Sequence, residues 1–511
     1  MNLAERRTPT RVLSSKAALL ASARIVAFCI SVLLPLLLVR KLTRADYGVY
    51  KLSFQILASA CSLLGLQVSA SAYYFMPRST EKKPHIALNI ILFHFLVSAP
   101  IALLFLIYPA VVTVVFKTAD VVPYIPLMGV AIVLWLVSAS LETLAVANGD
   151  VGVASILIVV IQLTKTGLLI GAALLFGTVR GLILAAIVQG VLQLAVMFFY
   201  LRKRFGSFWS SLDLDLFRAQ LRNALPFGIG GLAYSALYDL HFYYVSHYFD
   251  PGQFAIYSVG CFQLPLLVLL IDSMRAVLIP EVARLDKNGD PDAIIEVWMG
   301  SIRQLAFFFV PICTLLFLLR REFITVLFTT KYLASIPIFG VNLLIIMLAM
   351  NLSGAVMRAF DDFRYFHAKL CFALMPVALV ALYVGIRLGQ LTGAIIAVAL
   401  VVAAEVTVTS TSIARRLGMS YQDLRYLAPV MGTAKAAVAA GLLVVILKGF
   451  LSGASPSVIL AFGSLIFGTT YLLVGLTTGA VTNGEKAEFQ KLLQSVLRTR
   501  SLRVRITPTD S

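Results

Sequence analysis

The chain has 511 residues, of which 60% are apolar and 13% charged, with a mean hydropathy of +0.93. A soluble globular chain is about 45–50% apolar and about 25% charged, so too little polar surface remains to cover a water-soluble protein of this length. Lys and Arg exceed Asp and Glu by 18, and in a membrane chain that excess belongs to loops facing anionic lipid rather than to a nucleic-acid site.

Residues 1–16 are polar and basic, with no small-residue cleavage site before the first apolar run. That run is too long for a signal h-region, so a retained first helix is expected. About 20 mainly apolar residues cross the hydrocarbon core. Runs of that kind predict an all-α polytopic membrane protein with about 14 transmembrane helices. The first six cover 17–39, 47–75, 86–116, 123–147, 151–176 and 181–201. A linker at 202–222 precedes six more, at 223–248, 254–280, 298–319, 333–357, 365–386 and 391–414. A last pair at 427–447 and 457–480 leads into a basic tail, 481–511, which is helix-compatible and suited to the inner leaflet. Counted by loop, 26 Lys and Arg fall on the side of the N-terminus, ten on the other and six within spans. The positive-inside rule then places both termini in the cytoplasm. The basic turn from Arg40 to Arg44 runs against that count. Cys29, Cys61, Cys261, Cys313 and Cys371 all lie in apolar stretches without a C-x-x-C neighbour and read as packing residues.

A weak repeat runs through the spans. Tyr47-Gly48-Val49-Tyr50 returns as Phe254-Ala255-Ile256-Tyr257, Ile125-Pro126-Leu127 as Ile336-Pro337-Ile338, and Arg204-Phe205-Gly206 as Arg416-Leu417-Gly418. The offsets are 207, 211 and 212, and the period holds six spans, an even number. Both copies therefore enter the membrane in the same direction, as a parallel repeat. The expected organisation is an N-lobe, 17–201, and a C-lobe, 223–414, facing each other across a cavity, with 427–480 outside the repeat.

At this point the chain resembles the multidrug/oligosaccharidyl-lipid/polysaccharide exporter superfamily, and within it the bacterial polysaccharide flippases of the O-antigen type. The resemblance rests on Pro35 to Tyr50, with its Tyr47-Gly48-Val49-Tyr50 opening of span two; on Ser273 to Leu285, at the end of span eight; and on Phe323 to Phe328 with Lys331-Tyr332 and Ala334 to Pro337, between spans nine and ten. It implies a flippase in the bacterial inner membrane. Such a protein moves a polyprenyl-diphosphate-linked glycan from the inner to the outer leaflet by alternating access, without a cofactor and without being an enzyme. A peptidoglycan-precursor flippase and a drug or cation antiporter of the same superfamily are the nearest alternatives, and a membrane glycosyltransferase is the rival from another class. The expected partners are the lipid-linked anionic glycan, the bilayer and a coupling H⁺ or Na⁺. No nucleic acid is expected, and the expected state is a monomer.

A charge at membrane depth costs about 2.5–3.5 kcal/mol on insertion scales, so each one retained asks for a partner, water or ligand. Arg24, Lys165 and Arg275 are the candidate cavity cations for a diphosphate, which a guanidinium fork matches well. Against that stand snorkelling of Arg24 to the inner boundary and an ion pair of Arg275 with Asp272, one turn before it. Lys435, Lys51 and Arg303 lie nearer groove or boundary positions. Asp239 and Glu405 are the deepest acids and the candidates for ion coupling, with His241 and His247 on the helix of Asp239. The alternative for Asp239 is an outward polar stripe. Glu142 and Asn148-Gly149-Asp150 read as boundary polarity, and Asp361-Asp362 as a charged turn. There is no G-x-x-x-x-G-K-[ST] loop and no H-E-x-x-H. The longest outer connection, about 320–332, has Glu322 as its one acid, which argues against a catalytic outer face.

Overall fold

The computed structural model describes residues 9–477 apart from 80, 117, 211, 361, 364 and 452. The basic tail at 481–511, the first eight residues and Asp361 therefore lie outside the described residues. Among the described residues all regular structure is helical.

Helices α1 (Pro9–Lys41), α2 (Arg44–Gly65), α3 (Ser71–Phe75) and α4 (Lys83–Ile107) open the chain. They are followed by α5 (Ile125–Ser138), α6 (Ser140–Ala147), α7 (Val151–Leu175) and α8 (Val179–Phe205). Then come α9 (Leu214–Tyr248), α10 (Pro251–Gly260), α11 (Pro265–Asn288) and α12 (Pro291–Leu318). The chain continues through α13 (Arg320–Phe328), α14 (Ile336–Leu348), α15 (Ser353–Ala359) and α16 (Phe366–Leu417), and ends with α17 (Ala428–Phe450) and α18 (Pro456–Thr477).

Among the described residues ten stretches are long and apolar enough to cross a membrane, and two bent helix pairs, α2 with α3 and α10 with α11, bring the number to twelve. The 52-residue α16 is two helices, because Gly389 and Gln390 leave helical geometry inside it. The 35-residue α9 is long enough to span, but its Gly, Tyr, Ser, His and Asp residues dilute its apolarity. These account for the expected total of about 14. The expected uninterrupted spans are broken in two places where non-glycine residues turn left-handed: Leu66 and Gln67 after α2, and Leu352 before α15. The outer connection at 320–332 also differs from a loop, since most of it is α13.

All three repeat matches have the same local structure in both copies. A six-residue 3₁₀ segment, Ala119–Tyr124 or Thr330–Ser335, leads into α5 at Ile125 or α14 at Ile336. Proline at the second position of each helix suits this, since the first turn needs no N–H there. Helix α8 stops at Gly206 and α16 at Gly418, both with positive φ, the backbone region glycine enters without strain. Helices α2 and α10, which open spans two and eight, pack on each other. Gly48 lies so close to the Pro251 carbonyl that a Cβ has no room there.

The described chain forms two compact units. The first holds residues up to 269 with 327–342 and 362–407; the second holds 270–326, 343–360 and 408–477. In the first unit α1 packs on α7, α4 on α5, α5 on α8 and α2 on α10. The stretches around Arg40–Tyr50 and Leu327–Pro337, both part of the resemblance, meet here. Arg40 donates to the Leu327 carbonyl at 3.0 Å, and the Tyr47 and Tyr332 rings stand edge to face with centroids 5.8 Å apart. In the second unit α17 packs on α12 and α18 through Gly432, Ala436, Ala440, Gly441 and Val444. Small residues let helix backbones approach in lipid, where packing rather than water exclusion drives association.

Candidate functional site

The five ionisable residues singled out from the sequence occupy different settings. On α1, Arg24 is half-exposed and donates to Glu142 of α6 at 2.6 Å. The acid read as boundary polarity is thus the partner of the proposed cation. Lys165 stands midway along α7 with its Nζ 4.3 Å from the centroid of the Trp135 ring on α5. Among the described residues no carboxylate lies within ion-pair distance of it. An ammonium over an indole face gains about 0.5–2 kcal/mol, depending on desolvation. Arg24 and Lys165 share the first unit on the packed helices α1 and α7. Arg275 belongs to the second unit, where Asp272 accepts from it at 3.4 Å. Lys435 is exposed on α17.

Helix α9 carries polar groups on two faces. Toward α2, Ser59 donates to the Asp239 carboxylate at 2.7 Å, Gln55 donates to Ser59 at 3.1 Å, and Ser62 and Ser235 lie 3.1 Å apart. Spacings of three and four along α2, and of four along α9, align these residues into one polar seam. Asp239 thus faces a neighbouring helix.

Toward α16, the polar face of α9 meets Glu405, which is 4% exposed. His367 reaches its Oε1 with Nε2 at 3.0 Å, and the Tyr238 hydroxyl donates to its Oε2 at 3.3 Å. Tyr234 stacks one turn earlier, 4.3 Å from the Tyr238 ring and 5.8 Å from the His367 ring. An ionised carboxylate only accepts, so it takes the Tyr238 hydroxyl proton and, in the tautomer protonated on Nε2, that of His367; a protonated carboxyl donates to Nε2 in the other tautomer. The hairpin within α16 sets this pairing. Gly385 and Gly393 approach so closely that neither position has room for a Cβ, and the two arms bring residues 367 and 405 together. Ala233, Leu237, Cys371, Ala378 and Val401 bury the cluster in apolar packing. A buried carboxylate held by an imidazole and a phenol can take up, hold and release a proton, or offer oxygens to a cation.

His367 and Tyr238 were not singled out from the sequence. His367 opens a span and looks like a boundary residue, and Tyr238 lies in an aromatic run. The only signal was the presence of a lone acid and a lone imidazole on the two arms of an apolar hairpin. His241 turns from Asp239 toward α10, its Nδ1 2.8 Å from the Tyr257 hydroxyl. His247 ends at the Val115 carbonyl, 2.7 Å away. Asp150 binds Arg204 at 2.7 Å and the Tyr200 hydroxyl at 2.8 Å, which makes the Asn148 to Asp150 turn an interhelical tie. Among the described residues no group of His, Cys, Asp and Glu has the arrangement of a metal centre.

Residues 37–337 match the family of polysaccharide biosynthesis proteins. Among curated proteins none matches in sequence. Solved structures share the fold at low identity. A lipid II flippase, MurJ, in an inward closed conformation is 14% identical with a TM-score of 0.64, over 89% of this chain and 98% of that one. The Vibrio cholerae MATE transporter VcmN is 12% identical with a TM-score of 0.56, over 81% and 98%. A MOP superfamily transporter from Pyrococcus furiosus is 15% identical with a TM-score of 0.56, over 79% and 95%.

Proposed function

The chain belongs to the family of polysaccharide biosynthesis proteins, and from that premise we propose that it flips a polyprenyl-diphosphate-linked glycan from the inner to the outer leaflet of a bacterial plasma membrane. The observation that carries this reading is Lys165: a mid-helix ammonium with an aromatic face beside it and no carboxylate partner among the described residues. A diphosphate headgroup supplies the missing negative charge. Arg24 and Arg275 add guanidinium groups that each hold one exposed carboxylate. Such pairs are weak enough to be exchanged for phosphate oxygens.

The glycan occupies the hydrated space between the N-lobe, 17–201, and the C-lobe, 223–414, while the prenyl chain stays in the bilayer. Rocking of one lobe against the other exposes the headgroup to each side in turn. Both termini face the cytoplasm, the protein acts as a monomer, and it carries out no covalent chemistry on the glycan. Glu405 with His367, and Asp239 with Ser59, are the sites at which H⁺ or Na⁺ couples to that motion. The likeness to a lipid II flippase supports a lipid-linked cargo over a cationic drug, as does the unmatched positive charge of Lys165.

The reading is tested in vesicles holding the purified protein and a fluorescent polyprenyl-diphosphate-linked disaccharide, with outer-leaflet label destroyed by an impermeant quencher. Lys165→Ala is expected to slow transfer about tenfold, a loss of about 1.4 kcal/mol in barrier terms. Ala at Arg24, Lys165 and Arg275 together is expected to abolish it in a protein that still melts cooperatively. Unchanged transfer in the triple variant rejects the cation site.

A further inference from the structure

Glu405 and His241 both line one small, partly open cavity in the first unit, between α9 and the two arms of α16, together with Tyr238, Leu237, Ala378, Leu382 and Val401. It offers about 20 Å³ to a water-sized body, and about 10–15 Å³ is enough for one water. The cavity walls are mostly apolar, and the polar side chains among them are Tyr238, Glu405 and His241, three candidate partners for a water. Two to four such partners are what buried waters have. On the far side of His241 the chain of polar groups continues to the Tyr257 hydroxyl, 2.8 Å from Nδ1. Cys261, one turn on, is within hydrogen-bond reach of that hydroxyl and faces Lys51 of α2. On the far side of Glu405 it continues to His367 at 3.0 Å, the second residue of α16.

We propose that Tyr257, His241, one cavity water, Glu405 and His367 form a proton relay along α9, leading from the outer half of the membrane to the inner end of α16. It deepens the coupling site proposed above, rests on that reading for its direction and role, and names the coupled ion as H⁺. A proton arriving at the Tyr257 oxygen displaces the hydroxyl proton onto His241 Nδ1, leaving the phenol neutral. The imidazolium gives its Nε2 proton to the cavity water, and the water passes one of its own to the Glu405 carboxylate. The carboxyl then hands it to Nε2 of His367, which is unprotonated in the tautomer that carries its proton on Nδ1, and His367 releases that Nδ1 proton. One proton enters and one leaves, and both imidazoles must return to their first tautomer before the next transfer. The charged and titratable groups facing this line are Lys51 and Cys261 at its outer end and Tyr234 beside His367. Asp239 lies on the opposite face of α9 with Ser59.

The relay predicts how fast the Glu405 carboxyl exchanges its proton with solvent. Infrared spectra of the protein in lipid vesicles are recorded on transfer to D₂O, and the protonated carboxyl band is assigned by its loss in Glu405→Gln. His367→Phe closes the inner end. In that background Tyr257→Phe and His241→Phe are each expected to slow deuteration of the band at least about tenfold, since a positioned proton-transfer group contributes about 10²–10⁴. Thr469→Ala, on α18, is expected to leave the rate unchanged. Tyr257→Phe removes a single oxygen, and a cooperative melt checks that each variant is folded. Exchange at the parent rate in both variants overturns the relay, as does a Glu405 band that never appears at any pH where the protein stays folded. Neither result depends on lipid transfer, so the flippase reading stands or falls separately.

Discussion

Arg24 and Glu142 lie 118 positions apart, and their 2.6 Å contact ties α1 to α6. With side chains 51% and 38% exposed, the pair contributes about 0–1 kcal/mol to stability. On the proposed reading its larger effect is on binding, because Glu142 occupies a guanidinium that the diphosphate would use. Glu142→Gln is therefore expected to lower the half-saturating concentration of the lipid-linked probe a few-fold, whereas Arg24→Ala raises it, and both leave the thermal transition nearly in place. A dose–response of leaflet transfer reads this, and an unchanged half-saturation in Glu142→Gln separates Arg24 from the cargo. Charges such as Arg24, Lys165 and Glu405 are legible in the sequence because each interrupts an apolar run. Their partners are not. Glu142 sits at a helix end where acids are common, and Trp135 and Tyr238 are ordinary membrane aromatics until helix packing sets them against a charge.

Helix ends and breaks were written more plainly than the contacts they create. The Ile-Pro openings of α5 and α14 and the glycines after α8 and α16 mark their own positions through the lost N–H of proline and the positive φ that glycine tolerates. The breaks at Leu66-Gln67 and Leu352 carry no such residue, and apolar runs read across them as continuous spans. The α16 hairpin falls between these cases. Gly385, Gly389 and Gly393 recur every four residues, but only the fold shows two of them backbone to backbone. A side chain at Gly393 must push the arms apart, and overpacking of this kind costs about 1–3 kcal/mol. Gly393→Val is expected to lower the thermal transition and, by moving residue 405 away from residue 367, to remove the protonated Glu405 band from its native position. Gly389→Ala, at the turn where no heavy atom lies within 4 Å of the added carbon, is expected to do neither. Melting curves and the infrared band check both.

At the scale of the whole molecule the uneven charge has a direction to specify. Loops on the side of the N-terminus hold 26 of the 42 Lys and Arg, and those on the other side hold ten. Arg202, Lys203 and Arg204 close α8, next to the exposed Trp209 stacked on Phe198, a combination suited to an anionic headgroup layer. The Arg40 to Arg44 turn opposes that bias, but Arg40 is engaged by the Leu327 carbonyl, so its charge serves a contact within the first unit as well as the loop count. The proposed orientation rests on the remaining cations. Ser207, after α8, and Ser455, before α18, are both exposed and belong to opposite sides on this assignment. In a background with the five native cysteines replaced, Ser455→Cys is expected to react with a membrane-impermeant maleimide on intact cells. Ser207→Cys is expected to react only once the membrane is opened. The reverse pattern turns the molecule over, and with it the direction of the proposed relay and of the proposed headgroup transfer.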